Sequence, residues 1–298
     1  MTVRSRAEIA LASMTFIWGG SFAVVKIGMR DVSPVLMIAV RFGIATLILL
    51  PLVWKKVRPF PAATLVKGSI LGLFLFLGFV AQNIGLTITT ASKSAFITGL
   101  MVIFVPILQY VIERKAPKIG NALGVLIVGA GLWFLTSPDG SSFNLGDALT
   151  VVCAILFAVY IVYLDVVANE TTTERLLLVQ LGSMTVYSIL ATVLMETPRF
   201  VVNEGSLLTL AYLTFLATLL TTWAQTRFQK DTTPTRAVVI FSVEPVIASG
   251  IAYVLLGETL GPVGILGGAL ILGGVLLSEL SDSIPGLRRS LDGSIPAP

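Results

Sequence analysis

The sequence contains no histidine, and Cys153 is its single cysteine. A zinc site built on histidine, a Ser-His-Asp triad, a Cys-His dyad and an intramolecular disulfide are therefore excluded. Charge is also scarce, because only 12% of the 298 residues are Asp, Glu, Lys or Arg, against about 25% in a soluble domain. This scarcity argues against a soluble enzyme. It also excludes a disordered chain, which needs high charge and few apolar residues.

Apolar residues are abundant instead: they make up 55% of the chain, and the mean hydropathy is +0.94. They form ten continuous runs of about 20 residues, the length that a helix needs to cross a bilayer. The short alternating segments of a membrane β-barrel are not seen. The sequence therefore predicts an all-α integral membrane protein, surrounded by the lipid bilayer. Its ten predicted transmembrane helices are 9–27, 34–54, 69–90, 94–112, 119–137, 145–164, 175–195, 207–226, 237–256 and 262–280.

The basic residues are distributed unevenly between the predicted loops. Fifteen of the 20 Lys and Arg residues fall on the side of the N-terminus, four fall on the opposite side, and Arg41 lies within a span. Short cytoplasmic loops carry an excess of Lys and Arg, so both termini are predicted to be cytoplasmic in a multi-pass protein of the cell (inner) membrane. The net charge of +4 is interpreted as this orientation signal, and no nucleic acid partner is expected.

Matching positions in the two halves predict an internal repeat. Five helices is an odd number, so the second unit would enter the membrane from the opposite side, an arrangement typical of secondary transporters. The predicted units are 1–138 and 139–281, and a cytoplasmic tail follows at 282–298. An offset of 139 residues pairs Trp18 with Phe157, Arg41 with Gln180 and Pro106 with Pro245, and a small gap pairs Gln82 with Gln225.

Three groups of residues resemble motifs of the EamA-type branch of the drug/metabolite transporter superfamily. They are Trp18-Gly19-Gly20-Ser21-Phe22, then Ala91-Ser92-Lys93-Ser94-Ala95-Phe96 leading to Pro106, and Val243-Glu244-Pro245 followed by Leu256-Gly257-Glu258. The resemblance covers the whole chain and implies ten helices in two inverted five-helix units. Within the superfamily the chain is similar to YddG-type amino-acid exporters, although Phe157 stands where the family often has Trp.

Two charged residues lie deep within predicted spans, where a charge is costly and marks a functional site by default. Glu244 lies in the ninth predicted helix and Arg41 in the second. Glu244 either faces a cavity and binds a substrate ammonium or a proton, or satisfies backbone groups freed by the kink at Pro245. Arg41 either contacts a substrate carboxylate or pairs with Glu244 or a helix end.

Aromatic and amide side chains within the spans are candidates for a cavity wall. Aromatic rings with a few polar groups form an ordinary small-molecule pocket, whereas buried amides either line a cavity or join helices. The predicted substrate-binding residues are Trp18, Ser21, Phe79, Gln82, Asn83, Ile103, Phe157, Tyr160, Trp223, Gln225 and Glu244. Local weakness of the helix predicts hinges near Gly19, Gly20, Pro106 and Pro245.

Together these features predict a monomeric secondary transporter that exports small metabolites, most simply neutral or aromatic amino acids. Transport would proceed by alternating access through a central cavity between the two units. The alternative is a carrier of another metabolite, a drug or a lipid-linked head group. A membrane-embedded enzyme would need acid, base or nucleophile groups that the spans lack, and a channel would need polar rings along a pore. No catalytic residue, metal or cofactor is predicted.

Overall fold

The structure is a computed structural model that describes residues 2–113, 119–136 and 143–280. Helices with short connections make up this part of the chain, and one isolated bridge joins Val32 to Phe200. A π-helical segment, Tyr212–Leu220, joins α9 to α10, and a 3-10 turn, Gln229–Asp231, follows α10. The helices are α1 Val3–Gly28, α2 Pro34–Val57, α3 Ala62–Leu86, α4 Ala91–Thr98, α5 Met101–Glu113, α6 Ile119–Thr136, α7 Leu145–Ala168, α8 Thr173–Met195, α9 Glu204–Ala211, α10 Thr221–Phe228, α11 Pro234–Phe241, α12 Glu244–Leu256 and α13 Pro262–Leu280.

The predicted fold class is confirmed by the lengths and compositions of these helices. Eight helical stretches are long and apolar enough to cross a membrane, and shorter apolar stretches lie within α6 and α13, which complete the ten. Helices suit this setting because every backbone polar group in a bilayer must be satisfied within the protein. Large apolar side chains also point outward: Leu194 is 82% exposed and Val254 is 76% exposed. Exposed apolar side chains of this kind suit a helix surface that is surrounded by lipid.

The fourth span of each half is a broken helix, and the two are built alike. Each consists of an eight-residue helix, a two-residue break and a 13-residue helix. The breaks fall at 99–100 and 242–243, so corresponding residues here are 143 positions apart. The four positions beyond the predicted 139 arise because the connection 196–203 after α8 is longer than the connection 58–61 after α2.

This spacing corrects the predicted pairing of Pro106 with Pro245. Pro245 lies in the first turn of α12, directly after the break, whereas Pro106 lies inside α5. By the matched breaks, Pro245 corresponds to Val102. The two prolines therefore occupy different places in the two units.

Contacts between α2 and α8 lie on the axis that relates the two units. The hydroxyls of Thr46 and Thr185 are 3.1 Å apart, and the two residues are separated by 139 positions. A residue that contacts its own counterpart must lie near a two-fold axis. Gly43 and Gly182, also 139 positions apart, each face the threonine of the other helix at 3.5 and 3.9 Å from an added Cβ.

The orientation of the bundle in the membrane stays a prediction. Five of the basic residues on which the predicted orientation depends lie outside the described residues: Arg114, Lys115, Lys118, Arg288 and Arg289. The predicted tail at 282–298 also lies outside them. We name the two ends of the bundle by residues. The Lys93 end contains the start of α4 and of α7, and the Arg236 end contains the start of α11 and of α1.

Candidate functional site

A cavity of about 70 Å³ lies at the centre of the bundle, where α1, α3, α7 and α10 meet the breaks of the two fourth spans. Thr98 ends α4 and Met101 begins α5, while Phe241 ends α11 and Glu244 begins α12. The helix breaks therefore place backbone ends and their side chains against the cavity. Its lining residues are Trp18, Ser21, Phe22, Leu75, Phe79, Gln82, Thr98, Met101, Phe157, Tyr160, Ile161, Gln225, Phe241 and Glu244.

Twelve of these fourteen lining residues are repeat-related partners of one another. The pairs follow the same offsets, 139 in the first helices and 143 in the third and fourth spans. The cavity therefore lies near the axis between the two units, and its wall takes eight residues from the first unit and six from the second. The pairs are Trp18 with Phe157, Ser21 with Tyr160, Phe22 with Ile161, Gln82 with Gln225, Thr98 with Phe241 and Met101 with Glu244.

Aromatic side chains form the apolar part of the wall. The rings of Trp18 and Phe241 meet edge to face with centroids 5.2 Å apart, and those of Phe79 and Phe157 meet at the same distance. Such edge-to-face pairs are a favoured aromatic geometry and hold the rings in place. Each pair joins one unit to the other, so any rocking of the units must change these contacts.

Glu244 is the first residue of α12, and only 8% of its surface is exposed. In the described part of the chain, no hydrogen bond or ion pair engages its carboxylate, which faces the cavity. The predicted alternative, a carboxylate that satisfies the backbone at the kink, therefore has no contact to support it. The N-terminal end of a helix favours a negative charge, which offsets part of the cost of burying this one.

Four polar residues of the lining, Ser21, Gln82, Tyr160 and Gln225, have repeat partners that are also polar. Each of the four donates a hydrogen bond to a protein atom. The oxygen atoms of these side chains keep lone pairs that can still accept a hydrogen bond. The bonds run from Ser21 Oγ to Trp18 O (2.7 Å), Gln82 Nε2 to Thr98 Oγ1 (3.4 Å), Tyr160 Oη to Gln180 Oε1 (3.3 Å) and Gln225 Nε2 to Gln229 Oε1 (2.9 Å).

Arg41 lies outside the cavity and is 2% exposed. Its Nε donates to Thr218 Oγ1 at 2.9 Å and its Nη2 donates to Ala217 O at 3.3 Å, both in the π-helical segment. The guanidinium also lies over the rings of Phe42 and Phe79, 4.8 and 4.7 Å from their centroids. No carboxylate of the described residues lies within ion-pair distance, so the predicted pairing with Glu244 is absent there.

Three predicted site residues do not line the cavity, while the other eight do. Asn83 Nδ2 donates to Pro34 O at 3.0 Å, so this amide joins α3 to the start of α2. Ile103 packs in the hydrophobic core. Trp223 is 41% exposed and packs edge to face against Phe228, 5.9 Å between centroids, at an apolar outer groove.

Six lining residues were not among the predicted ones. Five are repeat partners in the list above, and the 143-residue offset would have found one of them, Met101, from the predicted Glu244. The pairing of Gln82 with Gln225 already uses that offset, but the fourth spans were matched at 139 residues through their prolines. The six are Phe22, Leu75, Thr98, Met101, Ile161 and Phe241.

The glycines of α1 lie in an unbroken helix. A Cβ on Gly19 would lie 2.8 Å from Ile247 Cγ2, and one on Gly20 would lie 2.7 Å from Tyr212 Oη. Both positions therefore require glycine for the close approach of α12 and the π-helical segment. Hinge motion at these glycines, and at the two prolines, stays a prediction.

A buried ion pair lies at the Lys93 end of the bundle. Lys93 Nζ is 2.9 Å from Asp147 Oδ2, with side chains 7% and 0% exposed. Asp147 also accepts hydrogen bonds from Thr89 Oγ1 (2.5 Å) and Asn144 N (3.1 Å). The pair joins the start of α4 to the start of α7, and thus unit to unit.

A second pair supports the same end. The Glu258 carboxylate accepts from Ala91 N, Ser92 N and Ser92 Oγ, at 2.9 to 3.0 Å, and so caps the start of α4. Lys26 Nζ lies 3.5 Å from Glu258 Oε1 and donates to Thr89 O. These hydrogen bonds and the ion pair hold the loop after α12 and the end of α1 against the start of α4.

The Arg236 end carries the repeat-related counterpart of the Lys93–Asp147 pair. Arg236 corresponds to Lys93 and Glu8 corresponds to Asp147 by the same two offsets. Arg236 Nη1 lies 3.4 Å from Glu8 Oε1, with side chains 55% and 32% exposed. Equivalent charges thus meet at both ends, but in different surroundings.

Comparison with known proteins identifies what the chain is similar to. The EamA-like transporter family matches twice, at residues 5–137 and 144–280. An uncharacterized transporter of Archaeoglobus fulgidus is 32% identical over 93% of this chain and 87% of its own. A Salmonella typhimurium protein named "Probable amino-acid metabolite efflux pump" is 27% identical over 92% of this chain and 95% of its own. One crystal structure, 19% identical, shares the fold with a TM-score of 0.70 over 93% of this chain and 97% of that chain.

Proposed function

The chain belongs to the EamA-like transporter family, and from this premise we propose that it is a secondary transporter that exports small metabolites through the central cavity. The cavity on the axis between the two units is the observation that carries the proposal. Substrate sites of inverted-repeat transporters lie near the midplane between the repeats. A wall built from both units opens toward one end or the other when the units rock.

Alternating access is supported by the size and position of the cavity. Its volume of about 70 Å³ is well below the roughly 300–1,000 Å³ of ordinary ligand pockets. A substrate therefore requires the helices to move apart. The breaks of the two broken spans lie at the cavity. A small change in the backbone at each break alters the direction of a helix without unfolding it. With cytoplasmic termini in the inner membrane, as the basic residues predict, the Lys93 end faces outward.

Amino acids with apolar or aromatic side chains are the substrates that we propose. The edge-to-face ring pairs offer flat apolar surface to such a side chain, and the carboxylate of Glu244 offers a partner for an amino group. The name of the Salmonella relative points to the same class. Other small amphipathic metabolites remain the alternative.

Flux through reconstituted liposomes tests this function. We expect the protein to exchange labelled phenylalanine, leucine or threonine, and we expect Ser21→Trp, which fills the cavity, to lower the flux at least tenfold. Ser13→Trp is the matched control, because Ser13 lies on the exposed side of the same helix. Exchange of none of the amino acids would reject this substrate class, and full flux in Ser21→Trp would reject the cavity as the route.

A further inference from the structure

We infer that the cavity recognises its substrate through a positively charged amine held by Glu244, and that it supplies no cation for a substrate carboxylate. The inference rests on the proposed function and narrows it. The substrates are then amines with an apolar body, including amino acids bound through their ammonium group.

The charge of the lining supports this assignment. Of the fourteen described lining residues, Glu244 is the one that carries a formal charge, and the others are apolar or neutral. Arg41, the predicted partner of a carboxylate, donates from its Nε and Nη2 to Thr218 and Ala217 and does not line the cavity. A ligand in this cavity therefore meets one carboxyl group and no basic side chain.

The polar side chains of the lining also offer hydrogen-bond acceptors, which suit an ammonium group. Ser21, Gln82, Tyr160 and Gln225 each donate to a protein acceptor. Hydroxyl and amide oxygens retain lone pairs after such bonds form. An ammonium group has three donors and no acceptor, so these oxygens can accept hydrogen bonds from it beside Glu244.

The aromatic walls add a second source of attraction. A cation over an aromatic face is stabilised by the ring's quadrupole, more strongly when water is excluded. The ring pairs Trp18–Phe241 and Phe79–Phe157 line the same cavity as Glu244. An inorganic cation suits this wall less well, because a metal such as Ca²⁺ requires six or more oxygen ligands, and no group of three metal-binding side chains occurs among the described residues.

Comparison of the repeat-related positions shows that the carboxyl group of the cavity comes from one unit only. Glu244 is paired by the repeat with Met101, so one unit supplies a carboxylate where the other supplies a thioether. A symmetric pair of carboxylates would repel each other in the cavity. A single carboxylate has its charge available for one monovalent cation.

Three ligands that share a phenyl ring separate the amine from the carboxylate. The probes are phenethylamine, L-phenylalanine and 3-phenylpropionate, titrated against thermal unfolding of the purified full-length protein. We expect phenethylamine to bind with an apparent Kd within tenfold of that of phenylalanine, and 3-phenylpropionate to bind at least tenfold more weakly. Equal or tighter binding of 3-phenylpropionate, or no binding of phenethylamine, would overturn the inference.

Two variants locate the amine partner. Glu244→Gln keeps the side-chain shape and is expected to weaken phenethylamine binding at least tenfold. Glu170→Gln removes an exposed carboxylate paired with Lys67 at the surface and should leave binding unchanged. Unchanged phenethylamine binding in Glu244→Gln contradicts the inference.

The liposome assay keeps the two ideas distinguishable. If amino acids are transported while 3-phenylpropionate binds as well as phenethylamine, the transport function stands and the amine inference fails. If phenethylamine binds through Glu244 but no amino acid is exchanged, the amine site stands and the proposed substrate class fails.

Discussion

The Lys93 end and the Arg236 end of the bundle use repeat-related charges in opposite ways. Lys93 and Asp147 are 7% and 0% exposed, whereas Arg236 and Glu8 are 55% and 32% exposed. Breaking a buried pair leaves an uncompensated charge and costs several kcal/mol, whereas an exposed pair contributes little. The difference indicates that the two units, although built alike, hold one end of the cavity more firmly than the other.

The difference in burial between the two ion pairs bears on how a carrier would alternate between its two open states. An inverted repeat can exchange the conformations of its two units, so that the end now sealed becomes the loose one. On the proposed function, the structure represents a state sealed at the Lys93 end. The opposite state would bury Arg236 and Glu8 and expose Lys93 and Asp147.

Removing the buried cation should have the largest effect. In Lys93→Met the carboxylate of Asp147 loses its cation in a buried site, and we expect destabilisation of this end by about 3–5 kcal/mol. A lower melting temperature and faster labelling of Ser21→Cys in a Cys153→Ser background would measure it, since Cys153 is the free, buried cysteine of the described chain.

A double variant tests whether charge is the cause. Lys93→Met combined with Asp147→Asn removes both charges and should recover most of the lost stability, because a neutral amide needs no cation. A double variant as unstable as Lys93→Met would show that packing, and not the ion pair, seals this end.

Loss of the Glu258 cap should have an intermediate effect. Glu258→Gln weakens the acceptor for the amides of Ala91 and Ser92 and removes the partner charge of Lys26. Losing a helix N-cap costs about 0.5–2 kcal/mol, so the shift in melting temperature should be smaller than for Lys93→Met. Lys26→Met is the matched control, because it removes the ion pair and leaves the cap.

The exposed pair should matter least. Arg236→Gln is expected to cost less than about 1 kcal/mol, since water solvates both partners, and added salt should erase most of that cost. A melting-temperature loss as large as that of Lys93→Met would mean that the two ends are equivalent, and the comparison would fail.

Much of the candidate site was predictable because repeat partners carry related chemistry. Trp18 with Phe157 and Gln82 with Gln225 could be paired from sequence alone, and all four line the cavity. Asn83 shows the limit of this reasoning. Helical spacing puts it beside Gln82, but whether a buried amide faces a cavity or a neighbouring helix depends on the partner, here Pro34.

Arg41 and the two prolines also show what could not be predicted from the sequence. A charge inside a span predicts a partner without naming it, and the π-helical segment that binds Arg41 has no signature in the spacing. The proline match at 139 residues was misleading, because a longer loop shifts the register of the second unit by four residues.

The sequence by itself determined that the chain crosses a membrane in ten spans, because long apolar runs leave a helix in lipid as the stable state. It also predicted that the halves repeat, and the family model matches the chain twice. The tertiary structure alone decided which pair of charges is buried, which donors are engaged and which side of Glu244 is open to the cavity. Burial and the approach of one helix to another settle these points, as for Lys93 in α4 and Asp147 in α7, and the pattern along one helix holds no information about such contacts.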